Sequence, residues 1–166
     1  MLGQLHPFVL HFAVGLLLTA PLCDVAGLLL RRESLLHAGK WMTLSGAVAA
    51  VLSVLSGLGA EAVLGPHSPA GDPLLQLHRA LGYVMLGVYL PLSAWRAVSK
   101  LPMPLRLRTL YLALAFTGGV VVTVEAVLGS TLVYRHGVGL SASARSETVV
   151  RQAPAGTSPV KVDKGH

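Results

Sequence analysis

The chain has 166 residues, of which 53% are hydrophobic and only 12% charged. Soluble domains carry about 25% charged residues, so this composition excludes a water-soluble globule and indicates a membrane protein. The net charge of +6 does not indicate nucleic acid, because most basic residues lie between long apolar runs, where membrane topology accounts for them. The single cysteine, Cys23, sits inside an apolar run. It excludes an internal disulfide framework and is read as an inert thiol.

Four apolar stretches are long enough to cross a bilayer core, which needs about 20 residues of helix. The first is predicted over 7–30. Pro7 suits a first helical turn, where its missing N–H is not needed. No basic segment precedes it, and Arg31 and Arg32 follow it, so no cleavable leader is expected. The second span is predicted over 36–64, closed by Gly65-Pro66. It carries a stripe of small residues, Thr43, Gly46, Ala50, Ser53, Gly57 and Ala60. Such a stripe suits close helix packing, a cavity wall or a partner subunit. The third span opens at Asp72-Pro73, a cap followed by proline, and covers 73–98. The fourth covers 105–134, ending at His136-Gly137. Residues 1–136 are therefore expected to form one all-α domain, an integral membrane four-helix bundle with up-down topology. Residues 137–166 are polar and rich in Ser, Ala, Pro and Gly, and a flexible C-terminal tail is expected there.

The basic residues Arg31, Arg32, Lys40, Arg96, Lys100, Arg106 and Arg108 flank the connections after spans one and three. Near the membrane, the opposite side has only Arg79 and Arg135. The positive-inside rule then places both termini outside the cytoplasm. Trp41 and Trp95 fall at the cytoplasmic side, where interfacial anchors belong.

With alternating spans, His6, His11, His67, His78 and His136 share the outer side, while His37 lies on the cytoplasmic side and His166 ends the tail. Ionisable groups in a membrane are costly and mark functional sites by default. His11 is five residues past His6, and His78 six past Asp72, so both lie roughly 8–9 Å below their helix starts. Spans one and three are diagonal in an up-down bundle, and two imidazoles at matched depth suit bis-histidine haem ligation. Gly15 and Gly82 each follow their histidine by four residues and share its helix face. They either clear space for a macrocycle or only let helices pack. Arg79 and Arg135 at the outer rim suit haem propionates, or they snorkel to headgroups. His6 precedes Pro7, which predicts an extended residue outside the helix that folds over the site or caps the span. His136 ends span four beside Arg135. His67 reads as a solvated loop residue. His37 has no histidine partner on its side, which argues against a second haem.

Zinc or copper is the alternative ligand. His6 and His11 stand about 140° apart on a helix, which disfavours chelation of one ion by span one alone. Glu125 is the proton-linked candidate. It lies on a stripe with Gly118, Val122, Gly129, Leu132 and His136 that should face the bundle interior. It reads as a proton carrier near a haem or quinone, or as an interhelix hydrogen bond. Asp24 reads as structural, and Glu61 as able to reach the interface.

The segment Leu5-His6-Pro7-Phe8-Val9-Leu10-His11-Phe12 and the segment Leu132-Val133-Tyr134-Arg135-His136-Gly137-Val138-Gly139 resemble the signatures of the DUF2231-like family of predicted four-helix bacterial membrane proteins. The resemblance covers residues 1 to about 140. It departs at Ala13, where many relatives have proline. Members occur joined to, or beside, cytochrome c and Rieske-type modules, which implies a redox role in the bacterial inner membrane. It directs attention to His6, His11, His78 and His136. The combined expectation is a cytochrome b-like protein with one haem b near the outer face, ligated by His11 and His78. It would exchange electrons with an extracytoplasmic redox protein or other membrane complex subunits, with quinol as a candidate electron source. A non-redox anchor or assembly subunit is the rival. Transport is disfavoured, because four spans without an evident repeat leave little room for alternating access.

Overall fold

The computed structural model describes residues 2–62 and 69–139. Four long helices account for nearly all of these: α1 (Leu2–Leu29), α2 (Glu33–Glu61), α3 (Asp72–Val98) and α4 (Leu105–His136). A one-turn 3-10 segment, Pro69–Gly71, leads into α3. The helices are 27 to 32 residues long, or roughly 40–48 Å at the helical rise, against a hydrocarbon core of about 30 Å. All four are long and apolar enough to span a membrane. Outward-facing Val48, Leu55, Val120 and Val127 remain exposed, as lipid-facing side chains must in a helix that is apolar all round.

Neighbours follow chain order. α1 packs on α2 and α4, and α3 packs on α2 and α4, so α1 and α3 lie diagonally opposite. The closest pair is α1 and α2, joined by a turn in which Arg32 N–H donates to Gly27 O at 2.9 Å and Arg31 takes a left-handed φ of 52°. The small-residue stripe of α2 explains the close approach. Thr43, Gly46, Ala50 and Ser53 are buried, and a Cβ on Gly46 would lie 2.7 Å from Leu17 Cδ2. In a membrane such packing replaces the hydrophobic drive that water would supply. The core between the helices is built from Ala13, Leu17, Ala50, Met85, Tyr89, Tyr111, Ala115 and Val122.

Two helix starts differ from expectation. α1 begins at Leu2, which puts Pro7 inside the helix rather than in its first turn, and His6 is helical rather than extended. Local pre-proline bias is overridden because the His6 ring is tied to α2 by hydrogen bonds. α2 begins three residues early at Glu33, whose carboxylate sits in the first turn, where the helix dipole favours negative charge. α3 ends at Val98 as expected, and α4 runs on to His136 before Gly137 closes it with a φ of 65°. There Gly137 N–H donates to Val133 O and Val138 N–H to Leu132 O, which satisfies carbonyls at the helix end. His67, Gly65-Pro66, most of the expected tail and His166 lie outside the described residues.

Candidate functional site

The starts of α1 and α3 and the ends of α2 and α4 meet at one end of the bundle, the histidine end. His6 from α1 and His78 from α3 face each other there across the bundle diagonal. Their ring centres are 6.4 Å apart and their planes stand at 82°. Each ring is anchored to a neighbouring helix through Nδ1. The His6 Nδ1–H donates to Ser53 O of α2 at 2.9 Å, and Ser56 Oγ lies 3.2 Å away. The His78 Nδ1–H donates to Glu125 O of α4 at 3.2 Å. A carbonyl oxygen only accepts, so both rings must carry hydrogen on Nδ1, and a neutral imidazole then presents a lone pair at Nε2. Metal-ligating histidines are held the same way, with a backbone carbonyl setting tautomer and ring orientation.

Two glycines make room for these rings. A Cβ on Gly57 would lie 3.0 Å from His6 Cε1, and one on Gly129 would lie 3.3 Å from His78 Cε1. Gly57 belongs to the small-residue stripe of α2, and Gly129 to the interior stripe of α4. The latter faces inward as expected, with Gly118, Val122, Glu125 and Leu132 buried.

The structure does not bring His11 and His78 together. His11 is exposed on the outside of α1, and its ring bonds back to Pro7 O of its own helix. The 140° between positions five apart is the reason: once His6 is helical and faces inward, His11 must face outward. Gly15 follows His11 to the exposed side, where an added Cβ would meet nothing within 4 Å. Gly82 is buried, but the space beside it is filled by the Glu125 carboxyl, whose Oε1 would lie 3.2 Å from a Cβ there. Glu125 is 5% exposed and its Oε2 has no hydrogen-bond partner.

At the rim, Arg79 pairs with Glu61 of α2 at 2.9 Å, both partly exposed. Arg135 is exposed, and His136 is half-buried with its Cβ beside Gly71. His37 is exposed near the start of α2, at the other end. Among the described residues, no three His, Cys, Asp or Glu side chains converge as metal donors.

The opposite, basic end holds a cluster that sequence reasoning missed. Arg96 is buried and ion-paired with Asp24, with side-chain exposures of 3% and 4%. It also donates to Leu36 O at 3.1 Å and stacks its guanidinium over the Tyr111 ring at 4.9 Å. The Tyr111 hydroxyl and Thr43 Oγ1 are hydrogen-bonded at 2.9 Å, and Trp95 packs edge-on to Tyr111. All four helices therefore contribute. In the sequence Arg96 stands among the basic residues that flank the connections, which masks its inward position. The available signal was the spacing of Met85, Tyr89, Leu92 and Arg96, which puts arginine on the inward face of α3.

The family described as predicted membrane protein (DUF2231) matches residues 3–142. The chain belongs to this family. The match takes in all four helices, both facing histidines and the Asp24–Arg96 pair. No curated protein and no solved structure matches the chain.

Proposed function

We propose that this DUF2231 protein binds one b-type haem through His6 and His78 and works in electron transfer across or along the bacterial cytoplasmic membrane. The observation that carries this reading is the facing histidine pair. His6 and His78 bring two imidazole rings from diagonal helices within 6.4 Å of each other, centre to centre, near enough for one metal ion to be shared between them. Both offer Nε2, because Nδ1 is committed to a backbone carbonyl. The donor set also suits haem better than zinc. A porphyrin brings four nitrogens of its own and needs only two from the protein, whereas a structural zinc ion takes four.

When bound, haem supplies a one-electron couple. The chain supplies the rest. Ser53 O and Glu125 O hold the imidazoles in one tautomer and raise their basicity. Arg79 and Arg135 stand at the rim where propionates would emerge, although Arg79 is shared with Glu61. The basic end faces the cytoplasm by the positive-inside rule, so the histidine end faces outward, within reach of an extracytoplasmic electron carrier.

The test is a reduced-minus-oxidised spectrum of the protein purified from a haem-replete host. Soret and α bands are expected. His6→Ala and His78→Ala should each abolish them, and His11→Ala should leave them unchanged. Absence of bands, or their survival in both the His6 and His78 variants, refutes the assignment. A copper ion is the second reading, because imidazole suits copper and the two nitrogens suffice for a low-coordinate ion. Elemental analysis separates the two. A stable co-purifying subunit with neither pigment nor metal would instead favour an anchor or assembly role.

A further inference from the structure

α1 lies more loosely on α4 than on α2. A groove of about 360 Å³ opens along the α1–α4 seam, lined by Leu18, Pro21, Ala115, Phe116, Gly119 and Thr123 among others. Its one polar side chain, Thr123, donates its hydroxyl back to Gly119 O at 2.8 Å. The wall therefore offers hydrocarbon and no free side-chain donor. Toward the basic end the same seam carries Leu28 of α1 with Arg108 and Leu112 of α4, which line one cavity. Arg108, Leu112, Ala115 and Gly119 follow one another at helical spacings and share one face of α4. Leu28 and Pro21 are two turns apart on one face of α1. Arg108 is half-buried, and among the described residues no ion pair or side-chain hydrogen bond engages it.

We propose that the α1–α4 seam binds one anionic phospholipid, with its phosphate at the Arg108 guanidinium and an acyl chain in the groove. Depth fits a lipid. Arg108 stands three residues into α4, within about 5 Å of the helix end, and the groove begins at Ala115, about 10 Å farther in. One leaflet of hydrocarbon is about 15 Å deep, so a chain anchored at Arg108 reaches the groove. Charge fits an anion. Leu28 and Leu36 flank the α1–α2 connection, and Leu101 and Pro102 lie in the α3–α4 connection, so both connections border the Arg108 cavity. They expose Arg31, Arg32 and Lys100 against one free acid, Glu33, because Asp24 is committed to Arg96. A guanidinium fork pairs well with phosphate, and basic pockets between spans hold anionic headgroups. A second copy suits the seam less well. Copies inserted in the same orientation would set basic end against basic end, with no counter-charge for Arg108. The site is independent of the histidine pair and of any haem.

Fluorescence quenching by brominated lipids tests this on the full chain. Trp41→Phe and Trp95→Phe give a silent background. Val120→Trp then reports on the groove, where Val120 is an exposed wall residue. Val48→Trp is the control, exposed on α2 and likewise 15 residues from its helix start at the basic end. Each protein is placed in phosphatidylcholine vesicles titrated with chain-brominated phosphatidylglycerol or chain-brominated phosphatidylcholine. At the Val120 position phosphatidylglycerol should be preferred about fivefold, the preference one arginine near the surface confers, and at the Val48 position it should show little preference. Arg108→Gln in the Val120→Trp protein should reduce the preference to the Val48 level. Equal preference at the two positions overturns the proposal without any change at Arg108, since it reports only the general charge of the surface. Preference unchanged by Arg108→Gln overturns it too. So does an indole at position 120 that neither lipid quenches, because protein then covers the groove.

Discussion

Gly57→Ala is the most direct probe of the histidine end, because the same chemical change at Gly15 provides its own control. Alanine is better than glycine in a helix interior by about 1 kcal/mol. At Gly15 nothing opposes that gain, since an added Cβ meets no atom within 4 Å. Gly15→Ala should therefore stabilise by roughly 0.5–1 kcal/mol. At Gly57 the new methyl would lie 3.0 Å from His6 Cε1 and 3.2 Å from His6 Nδ1. The ring cannot swing away freely, because Nδ1 is held 2.9 Å from Ser53 O. Overpacking costs about 1–3 kcal/mol, and a lost hydrogen bond about 1 kcal/mol more. Against the propensity gain, Gly57→Ala should destabilise by roughly 1–3 kcal/mol. Gly129→Ala, with its contact to His78 at 3.3 Å, should fall between the two. Reversible unfolding in lipid nanodiscs, followed by helix signal, gives the three values. If Gly57→Ala is as stable as Gly15→Ala, the His6 ring does not lie against α2, and the histidine pair is wrongly placed.

The other predictions concern the ends of the bundle. Asp24→Leu alone should cost about 3–5 kcal/mol by leaving Arg96 buried without its counter-charge, whereas Asp24→Leu with Arg96→Met should be close to neutral; chemical denaturation that finds the double variant as weak as the single one contradicts this account. Arg79→Ala removes a partly exposed pair and should change stability by less than about 1 kcal/mol, measured by the same assay. In a Cys23→Ala background, Lys100→Cys should react with an impermeant maleimide only from the cytoplasmic side and Asp72→Cys only from the other. The reverse pattern would invert the proposed orientation.

Hydropathy carried the fold because it is a property of the chain alone. Four long apolar stretches need helices to satisfy their backbone in lipid, whatever packs beside them. The stripes on α2 and α4 were legible for the same reason, since spacing along a helix sets which residues share a face. The choice between His6 and His11 was not legible. The sequence shows that they stand about 140° apart on a helix, so only one can face inward. It does not show which, because that depends on α2 lying close enough for Ser53 O to hold a ring. The role of Gly82 changed likewise. Its lack of a side chain was evident, but Glu125 of α4 fills the space, and no local pattern links residues on different helices.

The sequence by itself determined that most histidines gather near one end and most basic residues near the other, because helix length and alternation assign each residue of a span an end. Tertiary structure alone decided which histidines meet. It also turned Arg96 from one basic residue among several into the buried partner of Asp24. Both outcomes depend on the rotation of each helix about its axis, which small-residue contacts and interhelix hydrogen bonds set.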